Sequence, residues 1–319
     1  MLDALNIDPA PVAEAIAGTI RRQVLKDLRR RGVVLGLSGG VDSSVVAAQC
    51  VRALGPNRVL GLLMPETDND PDSLRLGREV AQALRIDSLV EDIAPVLEAA
   101  GCYRRRDDFI RRVFPGYGAG WRSKIVIRRA SGGPYNVAHL VVRPPDGGSL
   151  REARLPIDAY LGIVAATSMK QRTRKQIEYY HADRLNYAVA GTPNRLEYDQ
   201  GFFVKNGDGA ADLKPIAHLY KSQVYQLAGH LGVPAEIRAR PPTTDTYSLA
   251  QTQEEFYFGL PLAKLDLCVY GLDHLVPAEV LAPAVGLSAA QVGEIYRDIA
   301  GKRRTTRYQH EPPMLVESL

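Results

Sequence analysis

Cysteine is scarce in this sequence, and its spacing excludes several kinds of protein. The 319 residues contain three cysteines, Cys50, Cys102 and Cys268, and none of them belongs to a CxxC pair. A disulfide framework or a cysteine-based zinc site needs closer or more numerous cysteines. The six histidines form no HExxH pattern, so a histidine-based metal site is not expected either. We therefore expect a protein of a reducing compartment, the cytoplasm.

Long hydrophobic runs are also missing. No stretch of 18 apolar residues occurs, and the first residues lack a basic region followed by an apolar one. We therefore predict that the chain has no membrane span and no secretion signal. Hydrophobic residues make up 45% of the chain and charged residues 24%, which is typical of a globular protein. The length allows one large α/β domain or two smaller ones with a substantial core.

The chain has little net charge, but the charge is unevenly distributed. The formal net charge is +4, too small by itself to indicate a nucleic-acid partner. Residues 101–154, however, carry twelve Lys or Arg against four Asp or Glu. A basic segment of this kind is either a solvated loop or dimer arm, or a site for extra phosphate or an acidic substrate. The sequence alone leaves both interpretations open.

The order of apolar segments predicts a doubly wound parallel sheet. Short apolar runs alternate with segments of helical periodicity, which is typical of βαβ units joined by right-handed crossovers. The predicted strands are 33–37, 59–64, 88–90 and 187–190. The predicted helices are 12–28, 43–54, 72–84, 159–185 and 218–231, and the chain from 262 to Pro312 is predicted to be mainly helical.

This pattern breaks between residues 101 and 157. Two β-rich segments, 124–129 and 137–143, flank a turn at Gly132-Gly133-Pro134. We interpret 101–157 as a basic insertion that contains a β-hairpin. The main domain then consists of residues 1–100 and 158–319.

The strongest chemical signal is the glycine turn at residues 38–43 (SGGVDS), between a predicted strand and a predicted helix. Backbone N–H groups of such a turn and of the following helix N-terminus bind phosphate. Asp42 would repel bare phosphate, so its presence indicates a Mg²⁺ ion between the carboxylate and the phosphates. No Gly-Lys-Ser/Thr sequence is present, so this is not the common P-loop.

The turn resembles the phosphate loop of the N-type ATP pyrophosphatases, and the resemblance implies an adenine nucleotide alpha hydrolase-like fold. In these enzymes the loop holds the β- and γ-phosphates of ATP as departing pyrophosphate. The resemblance implies that a substrate atom attacks the α-phosphorus and that AMP leaves later. The loop alone does not distinguish among the synthetases and thiolases of that superfamily.

Later motifs resemble one family of this superfamily, the NAD synthetases, in its ammonia-dependent form. Residues 191–197 (GTPNRLE) are similar to their GTxNxxE segment, and residues 202–212 (FFVKNGDGAAD) to FFTKYGDGxxD. Residues 241–243 (PPT) match their proline-threonine loop, and 168–174 (SMKQRTR) resembles NxKxRxR. The resemblance covers about residues 8–98 and 160–313.

The resemblance implies a set of site residues and a reaction. Asp42 and Lys221 would be catalytic, and Asp42 and Glu197 would bind Mg²⁺. ATP would be bound by Gly36, Leu37, Ser38, Gly39, Gly40, Val41, Asp42, Ser43, Thr192, Lys221 and Thr243. Arg172, Lys205 and Asp212 would bind the acid substrate. ATP would adenylate the carboxylate of deamido-NAD, and ammonia would then displace AMP to give NAD.

The resemblance also bears on partners. No amidotransferase domain fits in the remaining length, and residue 2 is Leu, so free ammonia or a separate partner is expected to supply nitrogen. The family builds its acid pocket between subunits, which implies a homodimer.

Three departures from the family pattern keep alternatives open. Tyr308-Gln309 replaces a His-Lys pair, Ser168 replaces an asparagine, and the insertion at 101–157 is longer than usual. One alternative is a ligase that amidates another carboxylic acid. A second is a non-catalytic nucleotide or nucleic-acid binder, which paired magnesium carboxylates at Asp42 and Glu197 disfavour.

Overall fold

The computed structural model describes residues 2–129, 136–244 and 246–317. In these residues seven strands form two separate sheets. The strands are β1 (Val33–Gly36), β2 (Val59–Leu63), β3 (Asp87–Val90), β4 (Arg122–Arg129), β5 (Asn136–Arg143), β6 (Arg151–Arg154) and β7 (Ala188–Val189). The helices are α1 (Pro9–Arg22), α2 (Val41–Leu54), α3 (Pro71–Leu84), α4 (Ala94–Ala99), α5 (Cys102–Arg111), α6 (Ile157–Leu185), α7 (Arg195–Gln200), α8 (Lys221–His230), α9 (Ala235–Ala239), α10 (Leu262–Asp273), α11 (Ala278–Val285) and α12 (Ala289–His310).

The first sheet is parallel, with strand order β3-β2-β1-β7. Successive strand residues point to opposite faces, and both faces are covered. Val33 and Leu35 join a core that includes residues of α1, α2, α3 and α8. Val34 joins a second core on the other face, together with residues of α4, α5 and α6. The predicted doubly wound α/β fold is therefore confirmed.

The second sheet is antiparallel and lies within the predicted insertion. Its order is β4-β5-β6, and Ile125 of β4 is paired with Leu140 of β5. Ile125, Leu140 and Val142 pack with Ile110 of α5 and Ile163 of α6. The strand pair β4–β5 agrees with the predicted hairpin, and β6 adds a third strand that was not predicted. The predicted turn at Gly132-Gly133-Pro134 lies outside the described residues, and the domain boundaries stay a prediction.

The C-terminal helices form a third layer that supports the site. Side chains of α10, α11 and α12 pack with Leu196 of α7 and Tyr220, the residue before α8. Through these contacts the helical tail fixes the positions of two short helices that carry site residues.

The three cysteines are free and buried. Cys50 lies in the core beside the parallel sheet, where it packs as a small hydrophobic residue. Among the described residues, no helix combines the length and the hydrophobicity needed to cross a membrane.

Candidate active site

The glycine turn connects β1 to α2 at the carboxyl edge of the parallel sheet. Gly39 has a φ of +74°, a conformation that L side chains rarely adopt. A Cβ atom at Gly39 would lie 2.8 Å from both the Ser73 carbonyl oxygen and the Leu76 Cβ of α3. The backbone at position 39 therefore requires glycine, both for its conformation and for its close approach to α3.

Hydroxyl groups hold the turn in shape. The Ser43 Oγ donates to the Gly40 carbonyl oxygen over 3.0 Å, and the Ser44 Oγ donates to the same oxygen over 2.8 Å. The Gly40 N–H donates to the Ser38 Oγ over 3.3 Å. Gly40 is the N-cap of α2, so the turn ends at a helix N-terminus that attracts anions.

The turn opens into a cavity of about 750 Å³. This volume lies within the range of cofactor-binding pockets. The predicted ATP-binding residues that line it are Gly36, Leu37, Ser38, Gly40, Val41, Asp42, Ser43, Thr192, Lys221 and Thr243. Gly39 is the one predicted ATP residue outside the lining, because its backbone faces α3.

Asn194 connects the two carboxylates that are predicted to bind Mg²⁺. Its Nδ2 donates to the Asp42 Oδ1 over 3.2 Å, and its backbone N–H donates to the Glu197 Oε2 over 3.0 Å. The Asn194 side chain also caps α7 by accepting from the Leu196 and Glu197 N–H groups. This capping box fixes Glu197 in the first turn of α7, on the side of the Asp42 carboxylate.

Lys221 supplies the positive charge at this site. Its Nζ forms an ion pair with the Asp42 Oδ2, and the lysine is 2% exposed. The buried Asp266 accepts hydrogen bonds from the N–H groups of Lys221 (3.1 Å) and Ser222 (2.7 Å), and so caps α8. Burial alone would lower the pKa of Lys221, but the carboxylates of Asp42 and Glu197 outweigh it and raise the pKa.

The site also makes Glu197 a weaker acid. Burial and the nearby charge of Asp42 raise the pKa of Glu197 to about 7, against the opposing effect of Lys221. Its Oε1 accepts from the Gln253 Nε2 over 2.7 Å. The fold thus holds two carboxylates together although their charges repel each other, and such an arrangement is typical of a functional site.

The predicted acid-substrate residues are not all in one place. Arg172 and Lys205 line the cavity, and the Arg172 Nε donates to the Lys205 carbonyl oxygen over 3.2 Å. The Lys205 Nζ donates to the carbonyl oxygens of Tyr308 (2.7 Å) and Glu311 (3.1 Å). Asp212 is exposed and lies outside the lining, where its carboxylate accepts from the Val189 N–H and the Tyr179 hydroxyl.

The departures from the family pattern also lie at this cavity. Ser168, Tyr308 and Gln309 all contribute to its lining. Lys170, from the same motif as Ser168, is fully buried and bonds the Glu66 Oε1 (3.0 Å) and the Asp68 Oδ2 (2.6 Å). Lys170 therefore connects α6 to the loop that follows β2, and Glu66 of this loop lines the cavity.

Three residues of the site were not identified from the sequence: Asn194, Gln253 and Asp266. Asn194 carries a local signal, because an Asn three residues before a Glu at a helix start predicts a capping box. Gln253 and Asp266 contact the site only through tertiary folding, so no local spacing identifies them.

Comparison with known proteins adds to this geometry. The model of the NAD synthase family matches residues 12–109 and 157–313. This chain belongs to the NAD synthase family. The chain is 63% identical to the NH(3)-dependent NAD(+) synthetase of Rhizobium meliloti over 316 residues, which cover 99% of this chain and 94% of the relative. The predicted family and its class of reaction, an ATP-dependent ligation that forms a C–N bond, are confirmed.

Solved structures agree at the level of the fold. The NMN synthetase of Francisella tularensis superposes with a TM-score of 0.65 at 21% identity, covering 97% of this chain and 99% of the other. The NH3-dependent NAD synthetase of Campylobacter jejuni gives a TM-score of 0.63 at 21% identity, covering 98% and 100%. The family model leaves out residues 110–156, which include the antiparallel sheet.

Proposed function

We propose that this member of the NAD synthase family adenylates the nicotinate carboxylate of deamido-NAD with ATP and then amidates it with ammonia. One observation carries the proposal: Asp42, Glu197 and Lys221 meet at the glycine turn and line the same cavity. A phosphate-binding turn beside two carboxylates and a buried lysine has the groups that in-line transfer at phosphorus needs.

The chain would act mainly by positioning and by balancing charge. The turn and the N-terminus of α2 hold the β- and γ-phosphates, so that the α-phosphorus faces the acid substrate. A carboxylate oxygen attacks the α-phosphorus, the bond between the α- and β-phosphates breaks, and pyrophosphate leaves with the electron pair. Lys221 offsets the negative charge that develops on the phosphates. Ammonia then attacks the acyl carbon, AMP leaves, and the nitrogen loses a proton.

Asp42 and Glu197 fit a Mg²⁺ site by their chemistry. Both provide hard oxygen ligands, and the repulsion between them is relieved by a divalent cation. The ion, when bound, would neutralise phosphate charge and orient the triphosphate. Asn194 keeps both carboxylates in place for it.

The acid substrate would lie beside Arg172 and Lys205, and we propose a homodimer to complete its site. Asp212 faces outward from the cavity of its own chain, where a partner subunit would reach it. At its N-terminal end, helix α6 exposes Ile157 (71%) and Leu161 (57%) one turn apart, two apolar side chains that a partner subunit would cover. Three free cysteines support a reducing, cytoplasmic setting.

The test is an assay with purified protein, MgATP, ammonium and deamido-NAD. The proposal expects NAD, AMP and pyrophosphate in equal amounts. Nicotinate mononucleotide serves as the competing acid, because a similar fold occurs in an NMN synthetase. The Asp42→Asn variant serves as the inactive control. Amide formation only from nicotinate mononucleotide, or no ATP cleavage with either acid, would refute the proposal.

A further inference from the structure

Residues 246–253 form a segment that lies between the cavity and the antiparallel sheet. On one side, Thr246, Tyr247 and Gln253 line the cavity. On the other side, the segment runs along β4, which is the edge strand of its sheet. The family model does not cover this sheet, so its contact with the segment is a feature outside the shared family core.

Hydrogen bonds join the segment to three successive residues of β4. The Ser123 N–H donates to the Ser248 Oγ over 2.9 Å, and the Ser123 carbonyl oxygen accepts from the Leu249 N–H over 3.1 Å. The Lys124 Nζ donates to the Ala250 carbonyl oxygen over 3.2 Å. The Gln251 Nε2 donates to the Ile125 carbonyl oxygen.

Further contacts strengthen this attachment. The Lys124 Nζ also forms an ion pair of 2.9 Å with Glu255, just beyond the segment. Leu249 packs with Val126 of β4 and Val141 of β5 in a small apolar cluster. Tyr247 packs into the larger core under the sheet. Polar and apolar contacts therefore fix the same few residues, which leaves this part of the segment little freedom.

The far end of the segment reaches a carboxylate of the active site. The Gln253 Nε2 donates to the Glu197 Oε1 over 2.7 Å, and the Gln253 N–H donates to the Pro242 carbonyl oxygen over 3.2 Å. Gln253 lies two positions after Gln251, which is bonded to β4. The segment thus supplies the hydrogen bond to one oxygen of the Glu197 carboxylate, and the Asn194 N–H supplies the bond to the other.

We infer that the antiparallel sheet is a positioning element for the proposed MgATP site. It fixes residues 246–253 before the nucleotide binds, and through Gln253 it orients Glu197. Lys124 is the principal positioning residue, because its single amine bonds both the segment and Glu255. The inferred role does not require that the basic residues of the sheet bind phosphate. Arg128 of β4, one of these residues, forms an ion pair of 3.0 Å with Glu152 of β6.

A Lys124→Met variant tests the inference, with Arg128→Met as the matched control. Arg128 lies on the same strand and carries the same charge, but its ion pair stays within the sheet. Two measurements are made on the full chain. The first is hydrogen exchange of residues 246–253 without ligand, and the second is steady-state kinetics with varied MgATP.

Loss of the Lys124 amine is expected to speed exchange in the segment about tenfold. The KM for MgATP should rise about three- to tenfold while kcat falls less than about twofold, because bound nucleotide restores the fixed geometry. Arg128→Met should leave both readouts within about twofold of wild type. Lys124→Arg, which keeps a positively charged donor, should behave nearly like wild type in both readouts. Gln251→Leu, which removes a different bond to β4, should show the same changes in exchange and KM as Lys124→Met. It replaces Lys124→Met in the test if Lys124→Met does not fold.

An unchanged KM overturns the inference whatever the exchange result, and so does unchanged exchange. An equal effect of Arg128→Met overturns it too, because general loosening of the sheet then explains both variants. The inference rests on the proposed function for its kinetic part only. Failure of the wild-type chain to form NAD would refute the proposed function, while the exchange measurement needs no substrate.

Discussion

Lys221 and Asp42 form an ion pair although 179 positions of sequence separate them. Each residue lies in the first turn of its helix, Asp42 in α2 and Lys221 in α8. Two helix N-termini therefore point toward one cavity, and their partial positive charges add to that of the lysine. The pair balances the charge of the two side chains. In the proposed function, Lys221 would face the phosphates when Asp42 binds Mg²⁺.

Lys221→Met should abolish most of the activity. Removal of a preorganised cation that faces developing phosphate charge is expected to lower kcat by about 10²–10³-fold. The KM for ATP should change much less, because the proposed role of Lys221 is to offset charge that develops in the transition state. Steady-state kinetics with varied ATP check this. Lys26→Met, at an exposed position outside the cavity, is the control, and a variant at Lys221 within about threefold of wild type would contradict the role.

Glu197 should make the folded state less stable as the pH rises. Its pKa is raised to about 7 in the folded chain, above the ordinary value of 4.5. The folded state therefore binds more protons than the unfolded state between these values, and the free energy of unfolding falls as pH increases from about 4.5 to about 7. Above about pH 7 this contribution is constant.

Glu197→Gln should remove that pH dependence. At about pH 7.5 the variant is expected to be about 1–3 kcal/mol more stable than the wild type, because the buried charge is absent. Urea unfolding at about pH 5, 6, 7 and 8 measures this, with the exposed Glu98→Gln as control. Parallel curves for wild type and Glu197→Gln would show that Glu197 is ionised throughout.

Asn194 should affect both stability and metal use. Asn194→Ala removes the cap of α7, which costs about 1–2 kcal/mol of unfolding free energy. It also removes the side-chain amide that donates to the Asp42 carboxylate, while the backbone N–H of residue 194 that donates to Glu197 remains. The Mg²⁺ concentration for half-maximal activity should therefore rise, and a titration at saturating ATP measures it. Asn194→Asp keeps the cap but adds a third negative charge, so it separates the two effects.

The sequence predicted those parts of the site that depend on local patterns. The turn at residues 38–43 was recognised because glycines, an acid and a helix start occur within six residues. Glu197 was recognised through a motif of seven residues. The parallel sheet followed from alternating apolar runs, which depend only on the period of each segment.

Other parts of the site arise from contacts between distant segments. Gln253 reaches Glu197 across 56 positions, and Asp266 caps α8 from a helix 45 positions beyond Lys221. Strand β6 was missed because its four residues are largely exposed and show no apolar alternation. Asp212 matches a motif, yet the fold turns it away from the cavity of its own chain. Spacing in sequence does not report these positions.

Gly39→Ala should damage the site through the backbone alone. The positive φ of +74° and the 2.8 Å approach to the Ser73 carbonyl oxygen are both incompatible with a Cβ atom. We expect a loss of about 2–4 kcal/mol in unfolding free energy, and weaker ATP binding since the turn must shift.

Gly18→Ala is the matched control. Gly18 lies within α1, and a Cβ atom there would meet nothing within 4 Å. The change should therefore stabilise the chain by about 0.5–1 kcal/mol. Denaturant unfolding and ATP titration of both variants measure the difference, and equal stabilities would mean that the turn does not need glycine at position 39.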